Sequence, residues 1–240
     1  MNKKFLVIGN PIKHSLSPKL HSYWIKKNNL KASYDKKLLE KDEIQQLILD
    51  VREEKIHGLN VTVPFKKTII PFLDILSEEA KNSQSVNTVY KIKDKVIGDN
   101  TDIYGFKKGL ETANQIIKNK DALILGAGGV VSSIIIALKE MQISKIYLSN
   151  RTKLKALELK KLFPEIEIIE WGQVSSFDLM INATSIGLNN KDEINIDYKK
   201  ISQKKFFYDV IYNPEETNFL RRAKEFGAHT ENGKMMFVYQ

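Results

Sequence analysis

The sequence predicts an α/β protein of two domains, the second of them doubly wound. Three observations carry that prediction. Apolar runs of strand length alternate with segments of helical periodicity along the chain, the pattern of parallel sheets with helical crossovers. In the second half, "DALILGAGGVVSSIIIALKEM" passes from an apolar strand through a glycine turn into an apolar helix. In the first half, "GLNVTVPFKK" alternates in chemistry: Val61, Val63 and Phe65 fall on one parity, Asn60, Thr62 and Lys66 on the other.

The elements follow in order. "KFLVIGNP" reads as a strand ending in a turn. "SPKLHSYWIKKNN" reads as a helix, with Ser17 as its N-cap, Pro18 at its first position and Asn28-Asn29 closing it. "ASYDKKLL" is a second strand, and Lys41 to Lys55 carries Ile44, Leu47, Ile48 and Val51 at helical spacing. The alternating stretch is the next strand. Its polar parity lines up an amide, a hydroxyl and an ammonium, and Pro64 marks its end because proline cannot donate to a ladder. "TIIPFLDIL" and "SEEAKNSQS" read as helical turns, and "VNTVYKI" with "KVIGDN" as a hairpin. "DIYGFKKGLETA" is a helix, and the change of domain is expected near Thr101–Ile103. Beyond the glycine turn come the strand "KIYLSNRT", the helix "KLKALELKKLF", the strands "IEIIE", "FDLMINAT" and "KKFFYDVIY", and the helix "NFLRRAKEFG". Such repetition is a doubly wound, nucleotide-binding layout, in which ligands lie beyond the carboxyl ends of strands.

The totals exclude several classes. With 240 residues, 42% of them hydrophobic, the chain can bury a sizeable core. It has no cysteine, which excludes disulfides, thiol nucleophiles and thiolate metal sites and fits a reducing cytoplasm. Four histidines without paired spacing argue against a metal. No apolar run nears the roughly 20 residues that cross a bilayer, and Phe5 to Ile8 is too short for a signal peptide. The net charge is +9, yet the lysines are scattered in ones and twos, so they read as a solvated surface and not as a nucleic-acid stripe.

The glycine turn comprises Gly126, Ala127, Gly128, Gly129 and Val130. Glycines let a backbone turn tightly against a pyrophosphate, and the following helix offers unpaired N–H groups with a partial positive charge. Val131 stands where the dinucleotide fingerprint has its third small residue. The next strand ends in Asn150, Arg151 and Thr152, with Lys155 nearby. An NAD enzyme places a carboxylate there for the ribose hydroxyls, whereas a guanidinium grips a 2′-phosphate. The sequence therefore points to NADP. Asn182, Thr184 and Ser185 of "INATSIG" either line the cofactor site or form an ordinary polar turn.

Taken together, "GNPIKHSLSP", "NVTVPFK", "VNTV", "GDNTD", "GAGG", "NRT", "INATS", "YDVIY" and "NGKMMFVYQ" occur in an order and spacing that resembles the shikimate dehydrogenase family over nearly the whole chain. The resemblance implies a substrate domain over 1–102, rejoined by 233–240, and a Rossmann-like NADP-binding domain over 103–232, with the cleft between them. It implies reduction of the ketone of 3-dehydroshikimate by NADPH to shikimate, on the route to chorismate and the aromatic amino acids. Lys66 and Asp102 match the catalytic pair. Ser15 and Ser17 match the serines that hold the substrate carboxylate. Asn60, Thr62, Asn87 and Gln240 match groups that grip the ring hydroxyls or flank the carboxylate, Tyr212 a tyrosine near the pocket, and Gly233 a cofactor contact. His14 and His21 read as structural. The expected state is a cytoplasmic monomer or homodimer acting on a small molecule, without nucleic acid, membrane or metal. Relatives that also act on quinate form the second reading, and those that use NAD carry an acidic residue at the position of Asn150–Thr152. Family members continue past the position of Gln240, and many have a glycine where Met235 stands. These departures leave a catalytically impaired nucleotide binder as a rival.

Overall fold

A computed structural model describes residues 2–174, 177–189, 192–198 and 205–240. The chain divides into two compact units, Met1–Thr101 and Asp102–Gln240.

The first unit is built on a mixed sheet. Its strands are β1 (Lys3–Gly9), β2 (Ala32–Leu38), β3 (Gly58–Val61), β4 (Ile75–Leu76), β5 (Thr88–Ile92) and β6 (Lys95–Asp99), in the order β2-β1-β3-β5-β6-β4. Parallel pairing joins β2, β1 and β3, and antiparallel pairing joins β3, β5 and β6. Helices α1 (Ser17–Lys27), α2 (Ile44–Arg52), α3 (Phe65–Thr68) and α4 (Glu78–Ser83) connect the strands. Helix α2 shows why the core forms: Ile44, Leu47, Ile48 and Val51 share one face, are buried, and pack with Leu6, Ile8, Leu59 and Val89. Each such side chain contributes about 1.5–3 kcal/mol on burial.

The second unit holds α5 (Asp102–Thr112), β7 (Asp121–Leu125), α6 (Val131–Glu140), β8 (Lys145–Ser149), α7 (Lys153–Leu162), β9 (Glu167–Ile169), β10 (Leu179–Asn182), β11 (Phe206–Asp209), α8 (Asn218–Glu225), β12 (His229–Glu231) and α9 (Lys234–Tyr239). Among the described residues its sheet is parallel throughout, in the order β12-β11-β10-β7-β8-β9. The chain winds outward from β7 in one direction, then returns to β10 beside it and winds outward in the other. This is the dinucleotide-binding order, with its switch point between β7 and β10. Ala122 to Leu125 are wholly buried, which explains an unbroken apolar run in place of alternation.

Several expectations are corrected. Strand β3 ends at Val61; Phe65 N donates to Thr62 O at 2.9 Å, so the chain turns and Lys66 stands on the short helix α3. Only Asn60 of the expected polar row is therefore a strand residue, and Val63, expected on the apolar face, is exposed. Pro64, which has no N–H for a ladder, lies in that turn. Leu16, not Ser17, is the cap residue of α1, and the Ser15 hydroxyl accepts the Ser17 N–H at 3.3 Å instead. Ile75 and Leu76, expected in a helical turn, pair with β6 as a strand. Strand β12 and helix α9 were not expected. Residues 234–239 pack on α5 within the second compact unit. Gly105 permits that approach: a Cβ there would stand 2.7 Å from Met236 O and 2.9 Å from Gln240 Cβ.

Candidate functional site

Within the first unit, one end of the sheet gathers most of the residues matched to the substrate. The parallel register sets Val7 of β1 beside Asn60 of β3, and the antiparallel register sets Asn60 beside Thr88. Backbone bonds continue beyond the strands: Thr62 N donates to Ile8 O and Val61 N to Asn87 O, at 2.9 and 2.8 Å. Helix α3 is fastened to the same end, because Val86 N donates to Lys66 O at 2.8 Å. Lys66, a residue type that is almost always exposed, is only 8% exposed here. Asn60 and Thr62 are half-buried, and Asn87 is buried. Ser15 and Ser17 lie in the loop from β1 and at the start of α1, the former half-buried and the latter buried.

In the second unit, the glycine turn connects β7 to α6 at the switch point. Gly126 has φ +112°, and a Cβ on it would stand 2.8 Å from Ala183 O, so both conformation and space demand glycine. Val130, the cap residue of α6, carries no polar side chain and makes no side-chain cap bond. The turn and the helix start thus fit a pyrophosphate, whose oxygens can take the capping role. Gly128 is exposed, and Ala127, Gly129 and Val130 are half-buried. At the exit of β8, Arg151, Thr152 and Lys155 are exposed, while Asn150 Nδ2 donates to Thr152 O at 2.7 Å and holds this corner.

Beyond β10, Asn182 organises the loop and its side chain is wholly buried. Its Oδ1 accepts from Thr184 N and Thr184 Oγ1, at 3.0 and 2.7 Å. Its Nδ2 donates to Ile186 O at 3.0 Å and to both oxygens of Asp209 at 3.1 Å. Asp209 also accepts from Ile211 N at 2.9 Å and from Thr217 Oγ1 at 2.6 Å. Burial raises the Asp209 carboxyl to about 6, against the opposing pull of these donors. Thr217 in turn caps α8 by accepting from Leu220 N at 3.4 Å. Asn182 accordingly acts on the loop that carries Thr184 and the exposed Ser185, with no surface of its own to offer a ligand. Sequence reasoning missed Asp209 and Thr217. The helix-start pattern at Thr217 was the one local signal for either.

Asp102 is buried at the start of α5. Tyr212 stacks on Phe237 of α9 at 4.4 Å between ring centroids, and Gln240 N donates to Met236 O at 3.0 Å. Gly233 is buried against Val210, whose carbonyl a Cβ would strike. Among the described residues no cluster of His, Cys, Asp or Glu could hold a metal, and no helix is long and apolar enough to cross a membrane.

A doubly wound sheet with a glycine turn at its switch point defines a dinucleotide-binding α/β protein. The family model described as shikimate dehydrogenase substrate binding domain matches residues 7–89, and that described as shikimate / quinate 5-dehydrogenase matches residues 110–216. The shikimate dehydrogenase (NADP(+)) of Pelagibacter ubique is 72% identical over 240 residues, covering 100% of this chain and 91% of that protein. The crystal structure of shikimate dehydrogenase from Aquifex aeolicus superposes with a TM-score of 0.90 at 37% identity, covering 99% of this chain and 89% of that one. The enzyme from Thermus thermophilus, solved in complex with NADP(H) and shikimate, gives a TM-score of 0.89 at 30% identity over 99% of this chain and 89% of its own. The chain belongs to the shikimate dehydrogenase family.

Proposed function

We propose that this protein catalyses the reversible NADPH-dependent reduction of 3-dehydroshikimate to shikimate, in chorismate and aromatic amino acid biosynthesis. The observation that carries the reading is the buried Lys66 fastened beside Asn87 at one end of the first sheet, in a chain whose second unit has the glycine turn and the arginine-bearing strand exit of an NADP protein. When bound, the nicotinamide supplies the hydride. Negative charge then develops on the ketone oxygen. The Lys66 ammonium stabilises it and gives the proton, assistance typically worth about 10²–10⁴-fold. The Asp102 carboxylate accepts a hydrogen bond from a ring hydroxyl of the substrate. Ser15 and Ser17 hold the substrate carboxylate, and Asn60, Thr62, Asn87, Tyr212 and Gln240 orient the ring.

For the cofactor, Gly126 to Val130 face the pyrophosphate. Arg151, supported by Asn150, Thr152 and Lys155, receives the 2′-phosphate, which a carboxylate there would repel. Thr184 and Ser185 line the cofactor site on the loop that Asn182 holds in shape, and Gly233 completes it. The lack of cysteine suits a reducing cytoplasm.

The decisive assay follows NADP and NAD reduction with shikimate and with quinate. The expected result is turnover with shikimate and NADP far above the other three combinations. Preference for NAD overturns the arginine argument, preference for quinate overturns the substrate, and silence in all four overturns the enzyme.

A further inference from the structure

The polar residues of the first unit are linked in a ladder that begins and continues on side chains with no part in the reading above. Tyr34 of β2 and Asn60 of β3 flank β1 on one face of the sheet, where Val7 lies between them and packs with Tyr34. The tyrosine is long enough to cross that strand, and its hydroxyl donates to Asn60 Oδ1 at 2.6 Å. Asn60 Nδ2 donates to Thr88 Oγ1 at 3.2 Å and, more weakly, to Asn87 O at 3.4 Å. The Thr88 hydroxyl donates onward to Asn87 Oδ1 at 3.0 Å, which also accepts Thr101 N at 2.9 Å. On its other side the Tyr34 ring is stacked on His21 of α1, with centroids 4.2 Å apart and planes at 5°. Burial lowers the His21 pKa, which favours a neutral imidazole against that ring.

The ladder has a direction. A primary amide turned end over end looks alike in shape but exchanges donor for acceptor. Here Asn87 O can only accept, and the Thr88 hydroxyl, its hydrogen given to Asn87 Oδ1, also accepts, so both amide hydrogens of Asn60 lie on that side and its oxygen faces the Tyr34 hydroxyl, which donates to it. What Asn60 retains is the second lone pair of Oδ1, an acceptor suited to a hydroxyl donor. We propose that Tyr34 is a positioning residue that, with Thr88, locks the Asn60 amide so that it accepts from one ring hydroxyl of the substrate. This rests on the shikimate reading above and adds to it the sense of one hydrogen bond and the residues that set it. A site built to pair with a hydroxyl discriminates strongly against an analogue without one, because its own polar group is then left unpaired. Such discrimination survives only while the amide cannot turn.

The test is a double-mutant cycle of Tyr34→Phe and Asn60→Ala, read as separate KM values for shikimate and NADP. Phenylalanine keeps the ring stack on His21 and removes only the hydroxyl. Tyr34→Phe is expected to raise the shikimate KM about 10-fold, the worth of one hydrogen bond of roughly 1.4 kcal/mol, and to leave the NADP KM within about 2-fold. In the Asn60→Ala background it should have no further effect. Among analogues each lacking one ring hydroxyl, one should be indifferent to Tyr34→Phe. Thr88→Val should reproduce the loss, and Thr88→Ser, which keeps the hydroxyl, should restore it. Additive effects, an equal rise in both KM values or an unchanged shikimate KM would overturn the positioning role while leaving the enzyme in place. A wild-type chain inert toward shikimate would instead remove the underlying reading and the inference with it.

Discussion

The ladder around Asn60 in the first unit joins its side chains through amides and hydroxyls, whereas the loop after β10 in the second gathers them around a carboxylate. Tyr34, Asn60, Thr88 and Asn87 hand one hydrogen bond to the next between amides and hydroxyls, with no carboxylate or ammonium among them. Asp209 instead draws Asn182, Ile211 and Thr217 to one buried oxygen pair, tying the loop after β10 and the start of α8 together. A neutral ladder keeps its shape over a wide pH range. A buried carboxylate makes the same kind of order depend on protonation, because burial disfavours the charge while the donors favour it. The two networks therefore differ in kind: uncharged polarity around Asn60, and a charge-dependent frame around Asp209.

The largest expected effect separates chemistry from frame. Lys66→Ala should lower turnover by at least about 10²-fold while NADPH binding and melting temperature stay near those of the parent. Stopped-flow turnover with a parallel cofactor titration checks this, and near-normal turnover would remove lysine from the mechanism. The next concerns the carboxylate hub. Asp209 titrates near 6 when folded against an ordinary 3.8, so between about pH 4 and 6 the native state binds more protons than the unfolded chain. Stability from this group is therefore greatest below about pH 4 and falls as pH rises to about 6, by roughly 3 kcal/mol at most. Asp74 behaves in the opposite sense. The Arg52 guanidinium, donating at 2.7 and 2.8 Å, and then Val96 N hold its carboxyl down to about 2. Its stabilisation is complete above about pH 4 and is lost as pH falls toward 2. Denaturant unfolding across pH 3–7 should show the upper slope flatten in Asp209→Asn and persist in Asp74→Asn; an unchanged slope in Asp209→Asn would end the contrast between the units. The smallest effect lies at the strand exit. Arg151→Ala should raise the NADP KM about 10-fold, one charge-assisted contact, with the NAD KM and the turnover at saturating NADP unchanged.

Much of this architecture is legible from local pattern alone. The strand, glycine turn and helix around Gly126 can be read because tight turning and helix initiation are properties of neighbouring residues, and α2 because its four apolar residues recur at helical spacing. The end of β3 is misread because parity continues in "NVTVPFKK" although Pro64 and the bond from Phe65 N to Thr62 O have already turned the backbone. Strand β12 and helix α9 span three and six residues, too short for periodicity to register. Tyr34, Thr88 and Asp209 escape for another reason. Tyr34 meets Asn60 across 26 positions, and Asn182 meets Asp209 across 27. Nothing in the flanking residues announces partners that only strand order brings together.

The contact between Gly126 and Ala183 has a bearing on how such proteins diversify. With no room for even a methyl group, the glycine turn and the neighbouring loop are interlocked, and variation at that joint would prise the sheet apart at its crossing point. The corner that carries Arg151 has no such restriction, being open to solvent. If Arg151 receives the 2′-phosphate as proposed, a lineage could exchange one coenzyme for the other by rewriting a few surface letters there, while the interlocked joint is inherited unaltered.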